Sequence, residues 1–195
     1  MGGGVRLARS TYQAQFGADI APAPGAVLVL TDQDLRTVEP EDGLSGAVAG
    51  LNFAGERRLF CEYYLDAPVE DVISALTGEP VSRSEIVEVG PLASTTSGAG
   101  SELISLLGPI CWCNGAKAAV FTVTRPLHVM LRRMGIRTQV ICHPREEQLP
   151  ERMRGSWGSY YEMSPVMVYT DVTRHMGEAL SLLSGRPRAV AEAGA

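Results

Sequence analysis

The chain has 195 residues, 45% of them hydrophobic and 20% charged, with a net charge of −5. That length suits one domain able to bury a sizeable apolar core, and the composition excludes disordered and fibrous classes. No apolar run approaches the roughly 20 residues of a membrane-spanning helix, so stable membrane insertion is not expected. The first residues lack the basic-then-apolar layout of a secretory signal, which makes the cytoplasm the expected compartment. Cys61, Cys111, Cys113 and Cys142 form no C-x-x-C pair and are read as packing thiols, with no metal site expected. Charge is uneven: six Arg stand against fifteen acids through Asn114, and eleven Lys plus Arg against seven acids after it. The basic second half suits an anionic partner.

In chain order, residues 6–16 read as a short helix stopped by Pro22, Pro24 and Gly25. Residues 26–31 form an apolar strand, 32–42 an acidic loop, and 44–53 a second strand completing a hairpin. A helix start is expected at Asp66, with Asp66 as cap, Pro68 in the first turn, and Glu70 and Asp71 at the positive end of the dipole. Val69, Val72, Ile73 and Leu76 mark its buried stripe, and Gly78 with Pro80 its stop. Residues 85–93 read as a strand and 94–100 as a glycine-containing loop. A helix follows, carried by Leu103, Ile104, Leu106, Leu107 and Ile110. The change repeats when the strand at 118–124 gives way to a helix through Leu127, Met130 and Leu131 that stops at Gly135. Strands at 138–142 and 160–169 and a helix at 172–183 complete an α/β (α+β) chain, one sheet covered by helices. Residues 1–185 are expected to form a single domain and 186–195 a flexible tail.

Four separated blocks occur in one order: Leu59-Phe-Cys-Glu-Tyr-Tyr-Leu-Asp-Ala-Pro-Val-Glu70, Arg83-Ser-Glu-Ile-Val-Glu-Val-Gly-Pro-Leu-Ala93, Val120-Phe-Thr-Val-Thr124 and Trp157-Gly-Ser-Tyr-Tyr161. Together they resemble the thermostable hemolysin family, with Cys61 replacing an apolar residue and Pro91 replacing Asn. That resemblance implies a relative of GNAT-like acyltransferases and acyl-homoserine-lactone synthases, with a largely antiparallel sheet whose middle strands splay apart and with helices on both faces. It further implies transfer of an acyl or aminoacyl group to a small amine, of the kind found in specialised metabolism. The donor would be a thioester of coenzyme A or of phosphopantetheine on an acyl carrier protein, or else a charged tRNA. The alternatives are a lactone-forming synthase and a non-enzymatic binding or membrane-active hemolysin-like protein.

In the GNAT pattern a loop of form Q/R-x-x-G-x-G/A carries the donor pyrophosphate; Thr95-Thr-Ser-Gly98-Ala-Gly100 keeps both glycines and replaces the first residue. Glycine admits a phosphate close to the backbone, and the following helix start supplies free amides, so Thr95, Gly98, Gly100 and Ser101 are the candidate donor contacts. Glu88 interrupts an apolar strand just before that loop and is the first candidate for the base that deprotonates the amine. Glu85 is its substitute, and Glu62 a candidate to bind the acceptor amine. Tyr160 and Tyr161 are alternative proton donors to the departing thiolate; on a strand only one of them would face the cleft. Trp157 is a candidate wall of an acyl tunnel. A covalent route through Cys61 finds no sequence signal placing His128, His143 or His175 beside it.

Overall fold

The computed structural model describes residues 2–33 and 44–183. Helix α1 (Gly2–Phe16) begins four residues earlier than its apolar spacing suggests. The reason lies in Gly4, where a Cβ would come within 2.8–3.1 Å of Val27, Val29 and Val48 side chains. A bare backbone thus packs where a larger residue would not fit. Gly17, at φ 66°, closes the helix through its N–H to the Gln13 carbonyl, 2.9 Å.

Strands β1 (Ala26–Leu30) and β2 (Ala47–Phe53) pair antiparallel, as the hairpin reading requires. Most of the predicted 32–42 loop, and the predicted tail at 186–195, lie outside the described residues. Helix α2 (Val69–Thr77) starts later than expected, and Asp66 does not cap it. Pro68 holds the cap position, its carbonyl accepting from Asp71 and Val72 N–H, both at 3.1 Å. A residue preceding proline is driven to extended backbone, which excludes Ala67 from the helix and strands Asp66 outside it. Val69 and Ile73 of the predicted stripe are buried, whereas Leu76 is exposed; Gly78, at φ 77°, ends the helix as expected.

Strand β3 (Ile86–Ser94) leads into α3 (Ala99–Cys113), and β4 (Ala118–Val123) into α4 (Arg125–Arg133). Strands β5 (Gln139–Cys142) and β6 (Val166–Asp171) precede α5 (Val172–Leu183). The predicted strand at 160–169 is wrong in its first half: residues Tyr160–Met163 form a 3-10 turn, and extended pairing begins only at Val166. Gly155 and Gly158 precede that turn with positive φ, and Ser164, at φ 49°, closes it. Aromatic residues favour strands only weakly against backbone reversals of this kind.

The sheet order is β1-β2-β3-β4-β6-β5, antiparallel except for the central β3–β4 pair. Alternate residues divide its faces. Val87, Val89, Ala119, Phe121 and Val168 pack with Leu103, Ile104 and Leu107 of α3. Ile86, Val120 and Met167 point the other way, onto Val69 and Ile73 of α2. On that same side α1 lays Leu7 and Ala8 against Val48. No helix among the described residues is long and apolar enough to cross a membrane.

Candidate active site

The central strands stay together only briefly. β3 pairs with β4 from Ile86↔Ala118 to Val89↔Phe121 and no further. Immediately beyond, Gly90 and Pro91 sit opposite the single residue Gly50, since Leu51 pairs with Val89 and Ala49 with Leu92. This is a bulge, and it bends β3 away. Pro91 has no N–H with which to extend a ladder toward β4. A Cβ on Gly50 would run into the Gly90 carbonyl, so the bulge requires glycine on the facing strand.

Two cavities occupy the opening. The smaller, about 360 Å³, fills the wedge between the parted strands, walled by Thr11 of α1, Leu103 and Ile104 of α3, and Leu127 and Met130 of α4. The larger, about 510 Å³, lies beneath the segments around Ile20, Phe60 and Trp157. Both are lined by Tyr12, Val89, Gly90, Thr122 and Tyr160, so they meet where the strands part.

Glu88 faces the larger cavity and is 5% exposed. Its Oε2 accepts from the Phe60 N–H at 2.8 Å and its Oε1 from the Cys61 N–H at 2.7 Å. Burial pushes its carboxyl above the ordinary carboxylate range, while the two backbone amides oppose that rise. Glu88 therefore anchors the Phe60–Tyr64 turn and also brings a buried titratable group to the cavity wall. Each carboxylate oxygen has lone-pair capacity beyond the one amide it accepts from.

Glu62, the candidate for the acceptor amine, is committed elsewhere. Arg83 grips both its oxygens, at 2.7 and 2.9 Å, and the Leu59 N–H adds a bond of 2.7 Å. It lines neither cavity. Arg83 holds the Glu62 carboxyl below its usual 4.5. A depressed carboxyl contributes stability that is present above the unfolded-state value and is lost as pH falls through the folded-state value. Glu62→Gln is accordingly expected to cost about 1–3 kcal/mol at neutral pH and to flatten the loss of stability below about pH 4.5. Urea denaturation across pH checks this; an unchanged acid limb would mean that the pair contributes nothing. Glu85, the substitute base, is likewise occupied, in an ion pair with Lys117 at 2.6 Å.

The tyrosine question is reframed by the turn at 160–163, because neighbouring residues there do not alternate as on a strand. Tyr160 lines both cavities and donates its hydroxyl to the Thr122 carbonyl, 3.0 Å away. Tyr161 lines neither; its hydroxyl meets that of Tyr64 at 2.6 Å. Burial raises both phenols, Tyr161 to about 12 and Tyr160 well above its ordinary 10.0. Trp157 joins the larger cavity's aromatic wall, its ring 5.2 Å from that of Tyr160 and 5.3 Å from that of Phe60.

The glycine loop reaches the smaller cavity through Gly100. Thr95 is spent on structure: its N–H bonds the Gly46 carbonyl at 2.8 Å, and its hydroxyl accepts from the Gly46 N–H at 3.1 Å. Gly98, at φ 85°, turns the chain into α3, and its carbonyl accepts from Glu102 N–H at 3.0 Å. The amides of Ala99, Gly100 and Ser101 come before that first helical bond, where intrahelical partners run out. Gly100 lines the cavity, whereas the Ser101 hydroxyl leans on the Met130 sulfur at 3.9 Å.

Cys61 is buried, its thiol pushed well up by burial, and it lines neither cavity. His128 is engaged with the Thr138 hydroxyl at 2.9 Å. Among the described residues no cluster of three or more His, Cys, Asp and Glu is placed to hold a metal. Sequence reasoning missed Tyr12 and three guanidinium groups at the larger cavity, Arg57, Arg58 and Arg152. None of the three is salt-bridged to a carboxylate among the described residues. The resemblance blocks that begin at Leu59 and at Trp157 lie near these arginines, but no local pattern singled any of the three out.

A sheet whose parallel central pair opens into a wedge, flanked by a glycine loop and helix start, is the architecture of GNAT-like acyltransferases. The fold is shared with FeeM, an N-acyl amino acid synthase from uncultured soil microbes, at TM-score 0.54 and 14% identity over 86% of this chain and 88% of that one. It is shared with BjaI, a coenzyme A-dependent acyl-homoserine lactone synthase solved with SAM and isopentyl-CoA, at TM-score 0.54 and 12% identity over 100% and 86%. TofI, in a ternary complex with an inhibitor and MTA, gives TM-score 0.50 and 13% identity over 87% and 84%. No curated protein matches the chain by sequence. The thermostable hemolysin family profile matches residues 5–176, and the chain belongs to that family.

Proposed function

We propose that this protein is an N-acyltransferase that moves an acyl group from a coenzyme A thioester to a small amine. The observation that carries this reading is the meeting of two cavities at the parting of β3 and β4, one lined by Gly100 in the first turn of α3 and the other with a buried carboxylate in its wall. Phosphate would sit on the Gly98–Ser101 amides, where backbone N–H groups and the helix dipole favour an anion. The thioester arm would run through the wedge and present its carbonyl at Val89 and Thr122. The fold shared with FeeM and BjaI supports acyl transfer, and the coenzyme A dependence of BjaI favours a thioester of coenzyme A over a charged tRNA or a carrier protein.

The acceptor amine enters from the larger cavity. Glu88 takes its proton as nitrogen attacks the carbonyl; the C–N bond forms, the C–S bond breaks, and sulfur leaves as a thiol with a proton delivered from the Tyr160 side. Tyr160 is preferred to Tyr161 because it alone lines the cavities. Arg57, Arg58 and Arg152 around the larger cavity favour an amine that also carries a carboxylate, which guanidinium groups bind in bidentate fashion.

The test is thiol release from short- and medium-chain acyl-coenzyme A by the full chain, supplied with amino acids or with their decarboxylated amines. Product mass separates an open amide from a lactone. Leakage of phospholipid vesicles, measured in parallel, tests the lytic reading that the family name suggests. No thiol release with any donor and acceptor, together with leakage, would replace the proposal. Gly100→Asp should weaken coenzyme A binding roughly tenfold, the effect of ~1.4 kcal/mol, because it sets a negative charge where phosphate is placed. Calorimetric titration with coenzyme A measures this, and unchanged affinity would move the phosphate elsewhere.

A further inference from the structure

Three hydroxyls on the helices of this protein bond back to the preceding turn. Ser10 bonds back to the Leu7 carbonyl at 3.1 Å, Thr77 to Ile73 at 2.9 Å, and Ser105 to Ser101 at 3.0 Å. This is the default satisfaction of such a group within a helix. Thr11 of α1 does not follow it. The residue is 8% exposed, and its Oγ1 is buried without a hydrogen-bond partner. Among the described residues one other buried side-chain oxygen or nitrogen shares that condition, Thr122 Oγ1 of β4.

Both orphans belong to residues that line the same cavity, and both oxygens are turned into the protein there. Thr11 and Thr122 line the wedge between the parted strands, and Thr122 also reaches the larger cavity at the junction. An unsatisfied buried hydroxyl is destabilising, and valine of the same shape would avoid that loss. The rest of the wedge is largely apolar, contributed by Val48, Leu92, Leu103, Ile104, Leu127 and Met130. An occupant that was a plain alkyl chain would leave both hydroxyls without a partner. An arm bearing amide and carbonyl groups would satisfy them once a turn about χ1 brings each buried oxygen to the cavity surface.

We propose that Thr11 and Thr122 are binding contacts for the polar groups of the donor arm. Thr122 serves the thioester end at the junction, and Thr11 an amide of the pantetheine chain within the wedge. This rests on the coenzyme A reading above and adds to it the residues that select a pantetheine arm over a bare hydrocarbon.

Thr11→Val and Thr122→Val, each in the full chain, test it by calorimetric titration with coenzyme A and hexanoyl-coenzyme A and by thermal melting. Each variant is expected to bind roughly three- to tenfold more weakly, the loss of one hydrogen bond, while melting at the wild-type temperature or above it. Serine at either position should restore affinity, since it returns the hydroxyl without the methyl. Thr122→Val should weaken hexanoyl-coenzyme A more than coenzyme A, because only the former carries the thioester carbonyl. Affinity that is unchanged in both variants, or that falls only together with the melting temperature, would overturn the assignment. Wild-type protein that binds neither compound would overturn the donor reading itself, an outcome distinct from wild-type binding that the valines leave untouched.

Discussion

Replacing Glu88 by Gln is expected to lower turnover on an acyl thioester about 10²- to 10⁴-fold, the usual contribution of a general base. The same substitution should also lower the melting temperature by several degrees. Both carboxylate oxygens accept backbone N–H groups, from Phe60 and from Cys61. A Gln side chain accepts one of them and turns its own NH₂ toward the other, leaving a buried donor facing a donor at a cost of about 1–3 kcal/mol. The two effects separate by pH. Since burial raises the Glu88 carboxyl, the acid limb of kcat/KM in the wild type should lie above the ordinary carboxylate value of 4.5, and the variant's residual activity should lack that limb. A variant that melts lower yet keeps full turnover and the same pH profile would make Glu88 solely the anchor of the Phe60–Tyr64 turn.

The second large effect is expected at Gly158. Its φ is 53°, and a Cβ there would strike the Phe16 carbonyl at the end of α1, beside the 2.8 Å bond from Ser159 N–H to that same oxygen. Gly158→Ala should cost about 2–4 kcal/mol, from left-handed strain together with a backbone collision. That corresponds to a fall in melting temperature on the order of 10 °C. Gly155→Ala is the matched control: φ is 79°, but nothing lies within 4 Å of its added Cβ, so only the smaller conformational cost of about 1 kcal/mol applies. Activity should fall with the first variant alone, because Trp157 and Tyr160 hang from that connection. Equal melting of the two variants would show that α1 and the 157–161 segment are not pinned together there.

Much of the fold could be read from pattern. Val69 and Ile73 at helical spacing, Gly78 after them, and the apolar runs at 86–89 and 118–123 each carry a local signal that tertiary packing reinforces. The failures have local causes too. Asp66 looks like a cap until Pro68 is allowed to dictate the backbone before it, and the Tyr-Tyr pair looks like a strand until the positive φ at Gly155, Gly158 and Ser164 is known. Glu88 was legible at the site because a charge inside an apolar strand is conspicuous. Tyr12, Arg57 and Arg152 were not, since they reach one cavity from three distant stretches of chain and only the closed sheet brings them together. Glu62 misled for the converse reason: its partner Arg83 stands 21 positions away, and the sequence holds no trace of the pairing.

The four-pair ladder between β3 and β4 is, among the described residues, the single strand pairing that joins β1-β2-β3 to β4-β6-β5. Its partners stand 32 positions apart in the chain, against 43–53 for those of β4 and β6, so the seam costs no more loop entropy than that pairing inside one half, and α3 supplies its connection. Helix α3 acts as a splint, since Leu103, Ile104 and Leu107 share one apolar cluster with Val87 and Val89 on one side and with Ala119 and Phe121 on the other. Amide exchange at the seam therefore reports separation of the halves, and exchange at Leu92 and Ala93, beyond the bulge, reports loosening of one half alone. A molecule threaded through the wedge touches both halves as α3 does, and it ties the stability of the whole domain to the occupancy of its site.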